Sequence, residues 1–161
     1  MIRAVEISDA AEIAEIYNYY IENSAATFET EIVGIADMQK RISEISAQFP
    51  YYVFPDENGA VLGYCYAHKW KQRAAYAQTY ETSVYVAHSA KGRGIGTMLM
   101  QKLIGECKKR QCHALVACIT EGNAQSERLH ENLGFKKVSH FAQVGKKFGK
   151  YLGVVDYLLI L

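Results

Sequence analysis

A glycine-rich turn in this chain lies between a strand and a helix, and a second strand follows the helix, an order that leaves few folds open. From Gln78 to Val86 the residues alternate, with Tyr80, Thr82, Val84 and Val86 on one face and Thr79, Glu81, Ser83 and Tyr85 on the other, as in a pleated strand. Gly92, Gly94 and Gly96 come next, and Ile95, Leu99, Leu103 and Cys107 then trace one side of a helix ending at Lys108-Lys109-Arg110, where cations suit the negative terminus. Ala114 to Ile119 is apolar throughout, as strands covered on both faces are. Strand, helix and covered strand in succession make a right-handed parallel crossover, so the chain is predicted to fold as a mixed α/β protein.

The flanking segments add antiparallel strands and helices. Ile2 to Ile7 is predicted as a strand, Ser8-Asp9 as a helix start with Asp9 and Glu12 spaced as a capping box, and Ile13, Ile16, Tyr17, Tyr20 and Ile21 as one helical stripe ending near Asn23. After Thr27-Phe28-Glu29-Thr30, a loop or short strand, Ile35, Met38, Ile42 and Ile45 mark a second helix that Phe49-Pro50 stops. Tyr51 to Phe54 and Ala60 to His68 flank an Asn58-Gly59 pair and read as a hairpin. A short helix from about Ala124 to Leu133, capped by Gly134, precedes strands near Lys136 to Phe141 and Val154 to Leu161. With 161 residues, 2 prolines and no repeat or linker, the expectation is one domain spanning 1–161.

Charge and cysteine usage remove several functions. Eighteen basic against 17 acidic residues leave a net charge of +1, short of the excess that gripping a nucleic acid backbone demands. The longest apolar run near the C-terminus carries Asp156 and is too short to span a bilayer, and Met1-Ile2-Arg3 opens no secretory signal, so a soluble cytoplasmic chain is expected. Cys65, Cys107, Cys112 and Cys118 form no C-x-x-C pair and stand at no zinc-ligand spacing to the histidines. They are predicted to be buried free thiols, with no metal.

The turn Lys91-Gly92-Arg93-Gly94-Ile95-Gly96-Thr97 carries the sharpest chemical signal. Closely spaced glycines let backbone N–H groups converge, and the helix N-terminus adds partial positive charge, so a phosphate group suits the turn. Spacing sets the kind of ligand: no Lys-Ser/Thr pair follows as in a P-loop, and Thr97 stands where a dinucleotide fingerprint has its third glycine.

Val84-Tyr85-Val86 followed by Lys91-x-x-Gly94-x-Gly96 resembles the acetyl-CoA signature of the GNAT acetyltransferase superfamily, and the stretch from Asn123 through Leu129-His130 to Leu133-Gly134-Phe135 resembles its next motif. Ala26-Thr27-Phe28-Glu29, Arg73-Ala74-Ala75-Tyr76 and Glu81-x-Ser83-Val84-Tyr85-Val86 are similar to patterns of the phosphinothricin and methionine sulfoximine N-acetyltransferase group, so the likeness spans nearly the whole chain. It implies a twisted mixed sheet, splayed where two parallel strands part, with helices on both faces. It also implies that Val84, Tyr85 and Val86 pair with the pantetheine of acetyl-CoA. Lys91, Gly92, Arg93, Gly94, Ile95, Gly96 and Thr97 are implied to hold the pyrophosphate, and Asn123 and Ser126 to lie along the same cofactor. A homodimer is implied as well.

The reaction so implied is attack of a neutral amine on an acetyl thioester. It needs a group to take the ammonium proton and hydrogen-bond donors for the oxyanion. Glu81, on the strand that leads to the cofactor signature, is the candidate base, and the backbone N–H near Val86 the candidate donor. His130 stands where many members of the superfamily place a tyrosine; it either protonates the departing thiolate or, the commoner case for a helix histidine, packs against a neighbour. Arg73 offers a guanidinium fork to an acidic group of the acceptor, and Phe28, Glu29, Tyr76 and Thr79 are weaker candidates for the acceptor wall. The implied acceptor is the α-amine of a small amino-acid analogue such as phosphinothricin, methionine sulfoximine or methionine sulfone. Scattered rather than clustered acidic residues weigh against a polycationic acceptor such as a polyamine or aminoglycoside, a protein N-terminus is the other alternative, and Glu81 weighs against a non-catalytic acyl-CoA sensor. Two departures stand out. Lys91 replaces the usual Gln or Arg, and Gly153 replaces a frequent Asp in the stretch Lys147-Phe148-Gly149-Lys150-Tyr151-Leu152-Gly153.

Overall fold

The computed structural model describes all residues from Met1 to Leu161. Seven strands form one sheet: β1 (Arg3–Ala4), β2 (Tyr51–Pro55), β3 (Val61–Lys69), β4 (Thr79–Val86), β5 (Ala114–Thr120), β6 (Lys136–Lys147) and β7 (Lys150–Ile160). Their spatial order is β1-β2-β3-β4-β5-β7-β6, with β4 and β5 the parallel pair and the other neighbours antiparallel. Helices α1 (Ala10–Asn23) and α2 (Ile35–Ser46) cover one face, and α3 (Ile95–Lys109) and α4 (Ala124–Asn132) the other.

The alternation of the strands builds a core on each face. Tyr51, Val53 and Tyr64 pack with Ile13, Tyr17, Ile21, Met38 and Ile42 of α1 and α2. Cys65, Ala67, Leu115, Ala117, Ile119, Val155 and Tyr157 pack with Leu99, Leu103 and Cys107 of α3. Each fully buried aliphatic side chain contributes about 1.5–3 kcal/mol relative to exposure, so these layers hold the sheet flat against its helices. The predicted stripe of α1 is buried at all five positions, whereas in α2 only Met38 and Ile42 are buried and Ile35 stays exposed.

Four expectations need correction. The first strand is two residues long rather than six, because a 3-10 turn at Ile7–Asp9 ends it. Asp9 and Glu12 do not form a capping box: Asp9 pairs with Arg3 at 2.7 Å and accepts the Glu6 N–H at 2.8 Å, and Glu12 accepts the N–H of Val61. The last two strands are one long hairpin, closed by Phe148 and Gly149, both at positive φ, and bulged where Gln143 is left-handed. Cys65, Cys107 and Cys112 are buried, but Cys118 is exposed.

The break in the sheet positions the site. β4 and β5 pair at Thr79 with Ala114, Tyr80 with Leu115 and Glu81 with Val116, and there the pairing stops. Beyond Glu81, β4 stays with β3 as far as Val86, while β5 follows β7 as far as Thr120, so the two strands part. The Thr82 hydroxyl, 3.4 Å from the Val116 carbonyl, is the last bridge across the seam.

Candidate active site

Main-chain geometry fixes what the gap presents. The Ala87 N–H donates to Leu62 on β3, so by strand alternation the N–H and C=O groups of Val84 and Val86 point into the gap. One of them already has a partner there: the Tyr20 hydroxyl donates to the Val86 carbonyl at 2.6 Å. The gap widens into a cleft of about 780 Å³ whose walls are Thr82 to Val86, the glycine turn, Ala117 to Asn123 and one side of α4.

At the mouth of the cleft, Gly92 and Gly94 lie at φ 79° and 75°, where side chains are strained, and a Cβ on either would meet no atom within 4 Å. The backbone is therefore turned and bare on its outer side. The first bond of α3 runs from the Met98 N–H to the Gly94 carbonyl, which leaves the N–H groups of Ile95, Gly96 and Thr97 without helical partners, at the positive end of the helix. Gly96 sits 3.6 Å from Leu129 and 3.7 Å from Val86 by its virtual Cβ, so it lets α3, α4 and β4 approach closely. Lys91 rests its ammonium 4.9 Å from the Tyr20 ring, and Arg93 turns away to the Ser89 carbonyl.

Across the cleft, Asn123 caps α4 by accepting the Ser126 N–H at 3.3 Å. His130 is 3% exposed. Its Nδ1 lies 2.8 Å from the Ser126 carbonyl and its ring meets Phe135 edge-on. A carbonyl only accepts, so Nδ1 carries the proton and Nε2 is left with its lone pair. Burial lowers the basicity of this ring.

Glu81 occupies the apex, the last paired rung before the strands part. Its carboxylate stands 3.8 Å from Nε2 of His68, its cross-strand partner on β3. Burial raises its pKa, opposed by His68 and reinforced by Asp156. Asp156 on β7 accepts the Ser139 hydroxyl at 2.8 Å and is paired in register with the exposed Cys118. Glu29 is held by Arg41 through two bonds of 2.7 and 3.2 Å, and Phe28 lies against Gly145, where a Cβ would sit 2.2 Å from its ring.

Of the residues singled out from sequence, Val84, Tyr85, Val86, Lys91, Gly92, Gly94, Ile95, Gly96, Thr97, Asn123, Ser126 and His130 line this one cleft, and Arg93 is beside it. Glu81 is outside the lining but directly precedes Thr82, which is part of it. Phe28, Glu29, Arg73, Tyr76 and Thr79 lie outside it. Arg73 is exposed and unpaired, on the loop that joins β3 to β4, where Trp70 and Tyr76 pack edge-on with Lys71 over both rings. Sequence reasoning missed Arg41, His68, Cys118 and Asp156, and singled out Lys147 only as the start of the stretch that ends at Gly153. His68 faces Glu81 through the β3–β4 register, set across a loop that no turn rule fixes, and the others likewise depend on contacts between distant segments.

A seven-stranded mixed sheet parted beside a glycine turn defines an acyl-group-transfer architecture, and comparison with known proteins agrees. The acetyltransferase (GNAT) domain model matches residues 2–154. The chain is 36% identical over 152 residues to the L-methionine sulfoximine/L-methionine sulfone acetyltransferase of Pseudomonas aeruginosa, covering 94% of this chain and 88% of that one. It superposes with a TM-score of 0.97 and 34% identity on a GNAT superfamily phosphinothricin acetyltransferase from Sinorhizobium meliloti solved in complex with AcCoA, covering 100% of this chain and 88% of that chain. A ribosomal-protein-alanine N-acetyltransferase from Brucella melitensis gives the same TM-score and identity, over 100% and 99% of the two chains. The chain belongs to the GNAT acetyltransferases and is an N-acetyltransferase.

Proposed function

We propose that the protein transfers acetyl from acetyl-CoA to the α-amine of a small amino-acid analogue of the methionine sulfoximine, methionine sulfone or phosphinothricin type, by direct transfer within one domain. The observation that carries this is the parting of β4 from β5 immediately after Glu81, with free amides of α3 at one end of the gap and a raised-pKa carboxylate at the other. The residues fit the cofactor: bare glycine backbone and the N–H groups of Ile95, Gly96 and Thr97 suit a pyrophosphate, and the gap-facing groups of Val84 and Val86 suit pantetheine amides. Acetyl-CoA supplies a thioester carbonyl already activated for attack.

The chain's own residues do the rest. Glu81 takes the proton of the incoming ammonium, directly or through one water; its raised pKa makes it a better base than an ordinary carboxylate. The Val86 N–H donates to the carbonyl oxygen as it gains charge. Arg73, exposed and unpaired, is free to fork onto an acidic group of the acceptor. His130 acts by position: its proton is committed to the Ser126 carbonyl, so it shapes the cleft wall instead of donating to the thiolate. Thiol release from acetyl-CoA, measured with each of the three analogues, tests the reading; turnover with none of them overturns the substrate class.

The likeness to a ribosomal-protein-alanine N-acetyltransferase favours one other acceptor, a peptide N-terminus. Intact-mass spectrometry on a peptide panel separates the two. We also propose a homodimer, supported by Phe141, Val144, Phe148 and Tyr151, which expose apolar surface on the β6–β7 hairpin at the free edge of the sheet. A monomer in sedimentation at working concentration would exclude it.

A further inference from the structure

Lys147 is the unexpected cation of this fold. It is 4% exposed on β6 and has no carboxylate partner. Its Nζ instead reaches three main-chain carbonyls from another part of the chain: Ser24 at 2.7 Å, Thr27 at 2.8 Å and Tyr20 at 3.4 Å. Two of these belong to the end of α1, a helix with no basic residue in its own last turn. The third lies in the loop that follows. A buried ammonium without an anion is costly unless its hydrogen bonds are complete. The negative end of a helix is one of the few places where carbonyls alone can complete them.

These carbonyls belong to the segment that runs from the cleft to the acceptor face. Ser24, Ala25 and Ala26 line the cleft, and Phe28 and Glu29 follow them. The segment is also held by Tyr17, which shares a hydrogen bond with the Thr27 hydroxyl at 2.8 Å, by the Thr120 hydroxyl, which donates to the Ala25 carbonyl, and at its far end by Arg41, which pairs with Glu29 at 2.7 Å. Phe28 then lies on Gly145, two residues before Lys147 on the same strand. One turn of β6 thus touches the loop twice, by an ammonium from within and by a bare backbone under the ring.

We propose that Lys147 is a positioning residue for the acceptor: its ammonium, bound to the Tyr20, Ser24 and Thr27 carbonyls, fixes the Ser24–Glu29 loop so that Phe28 and Glu29 wall the amine site. The proposal rests on the reading of that loop as part of the acceptor site. It separates the lysine from the chemistry, since no atom of it faces the cleft. It also gives the Lys147-Phe148-Gly149 stretch a task distinct from closing the hairpin.

The test is steady-state kinetics of Lys147→Met, which keeps the apolar stem and removes the ammonium. The expected result is a KM for the amino-acid analogue raised at least tenfold, with kcat within threefold and KM for acetyl-CoA within twofold of wild type. Gly145→Ala, which drives the Phe28 ring from the other side and leaves every Lys147 bond intact, is expected to give the same split. Amide exchange read by mass spectrometry is expected to speed up across residues 24–29 in Lys147→Met. Should Lys147→Met not fold, Lys147→Gln, which keeps two N–H donors without the charge, is judged by the same criteria. An unchanged acceptor KM, or an equal rise in the KM of both substrates, overturns the proposal. Failure of the wild-type enzyme to acetylate any analogue instead overturns the acceptor reading, and that shows before any variant is made.

Discussion

On the α3 side of the gap, the groups proposed to hold the cofactor are main-chain amides: Ile95, Gly96 and Thr97 at the helix N-terminus, and Val84 and Val86 on β4. On the α1 side the polar groups are side chains: Glu81 from β4, His68 from β3, Asp156 from β7, and Glu29 with Arg41 from the first third of the chain. Amides come with every residue and need only the right turn, so that side tolerates changes of side chain where φ is kept. Side chains must be brought together by the fold, so the acceptor side fails one residue at a time and can be retuned one residue at a time.

The hardest blow to this division should come from Glu81→Gln. Loss of the base is expected to lower kcat by about 10²–10⁴ near neutral pH and to remove the acidic limb of the profile. The folded-state pKa of Glu81 is raised, so its charged form is disfavoured in the fold, and stability falls as pH rises through that pKa. The variant should therefore be at least as thermostable as wild type at pH 7.5, a pairing of lost activity and kept Tm that calorimetry checks. An unchanged pH profile would remove Glu81 from the chemistry and leave the cofactor side standing.

Arg73→Ala comes next. A charge-assisted pair contributes about 1.5–3 kcal/mol, so kcat/KM for an acidic acceptor should fall about 10- to 100-fold while KM for acetyl-CoA holds. Equal loss for an acceptor without an acidic group would show that the arginine does not read charge. On the other side, Gly94→Val places a β-branched residue at φ 75°, a strain of about 1–2 kcal/mol. KM for acetyl-CoA should rise about tenfold with the acceptor KM unchanged. Lys91→Ala, beside it, should move that KM less than about threefold if amides rather than the lysine do the gripping.

The same division explains what the sequence could disclose. The strand, turn, helix and strand of residues 79–120 are local: period, glycine spacing and terminal charges all lie within one stretch, and the structure places them as expected. The long β6–β7 hairpin was cut short because Phe148-Gly149 closes it through a left-handed phenylalanine, which no turn rule anticipates. The side chains on the α1 side come from distant segments, residues 29, 41, 68, 81 and 156, and nothing local ties Arg41 to Glu29. Gly153 shows the limit most clearly. The absent side chain leaves room that the Glu121 carboxylate fills, 2.3 Å from where its Cβ would be, and Glu121 pairs there with His140 at 2.9 Å. The space beside Gly153 therefore holds a carboxylate from β5's end, a substitution visible only in three dimensions.

The finest test concerns His130, the buried histidine on the amide side of the cleft. Its Nδ1–H is held by the Ser126 carbonyl, and burial lowers its pKa below the usual value of about 6.5. As pH falls below that value the unfolded chain takes up a proton that the folded protein resists, so wild-type stability should decline progressively until the folded pKa is passed. His130→Gln keeps an N–H for Ser126 and does not titrate. Its Tm should drop less than that of wild type between pH 7 and pH 5, while the carboxylates act alike in both proteins and cancel in the difference. Its kcat should stay within about threefold of wild type, with the acidic limb unmoved, because a ring whose proton is committed and whose basicity is suppressed has little to give a leaving thiolate. A shifted limb would mean that His130 carries a proton during turnover, and that the α3 side holds a working side chain among its amides.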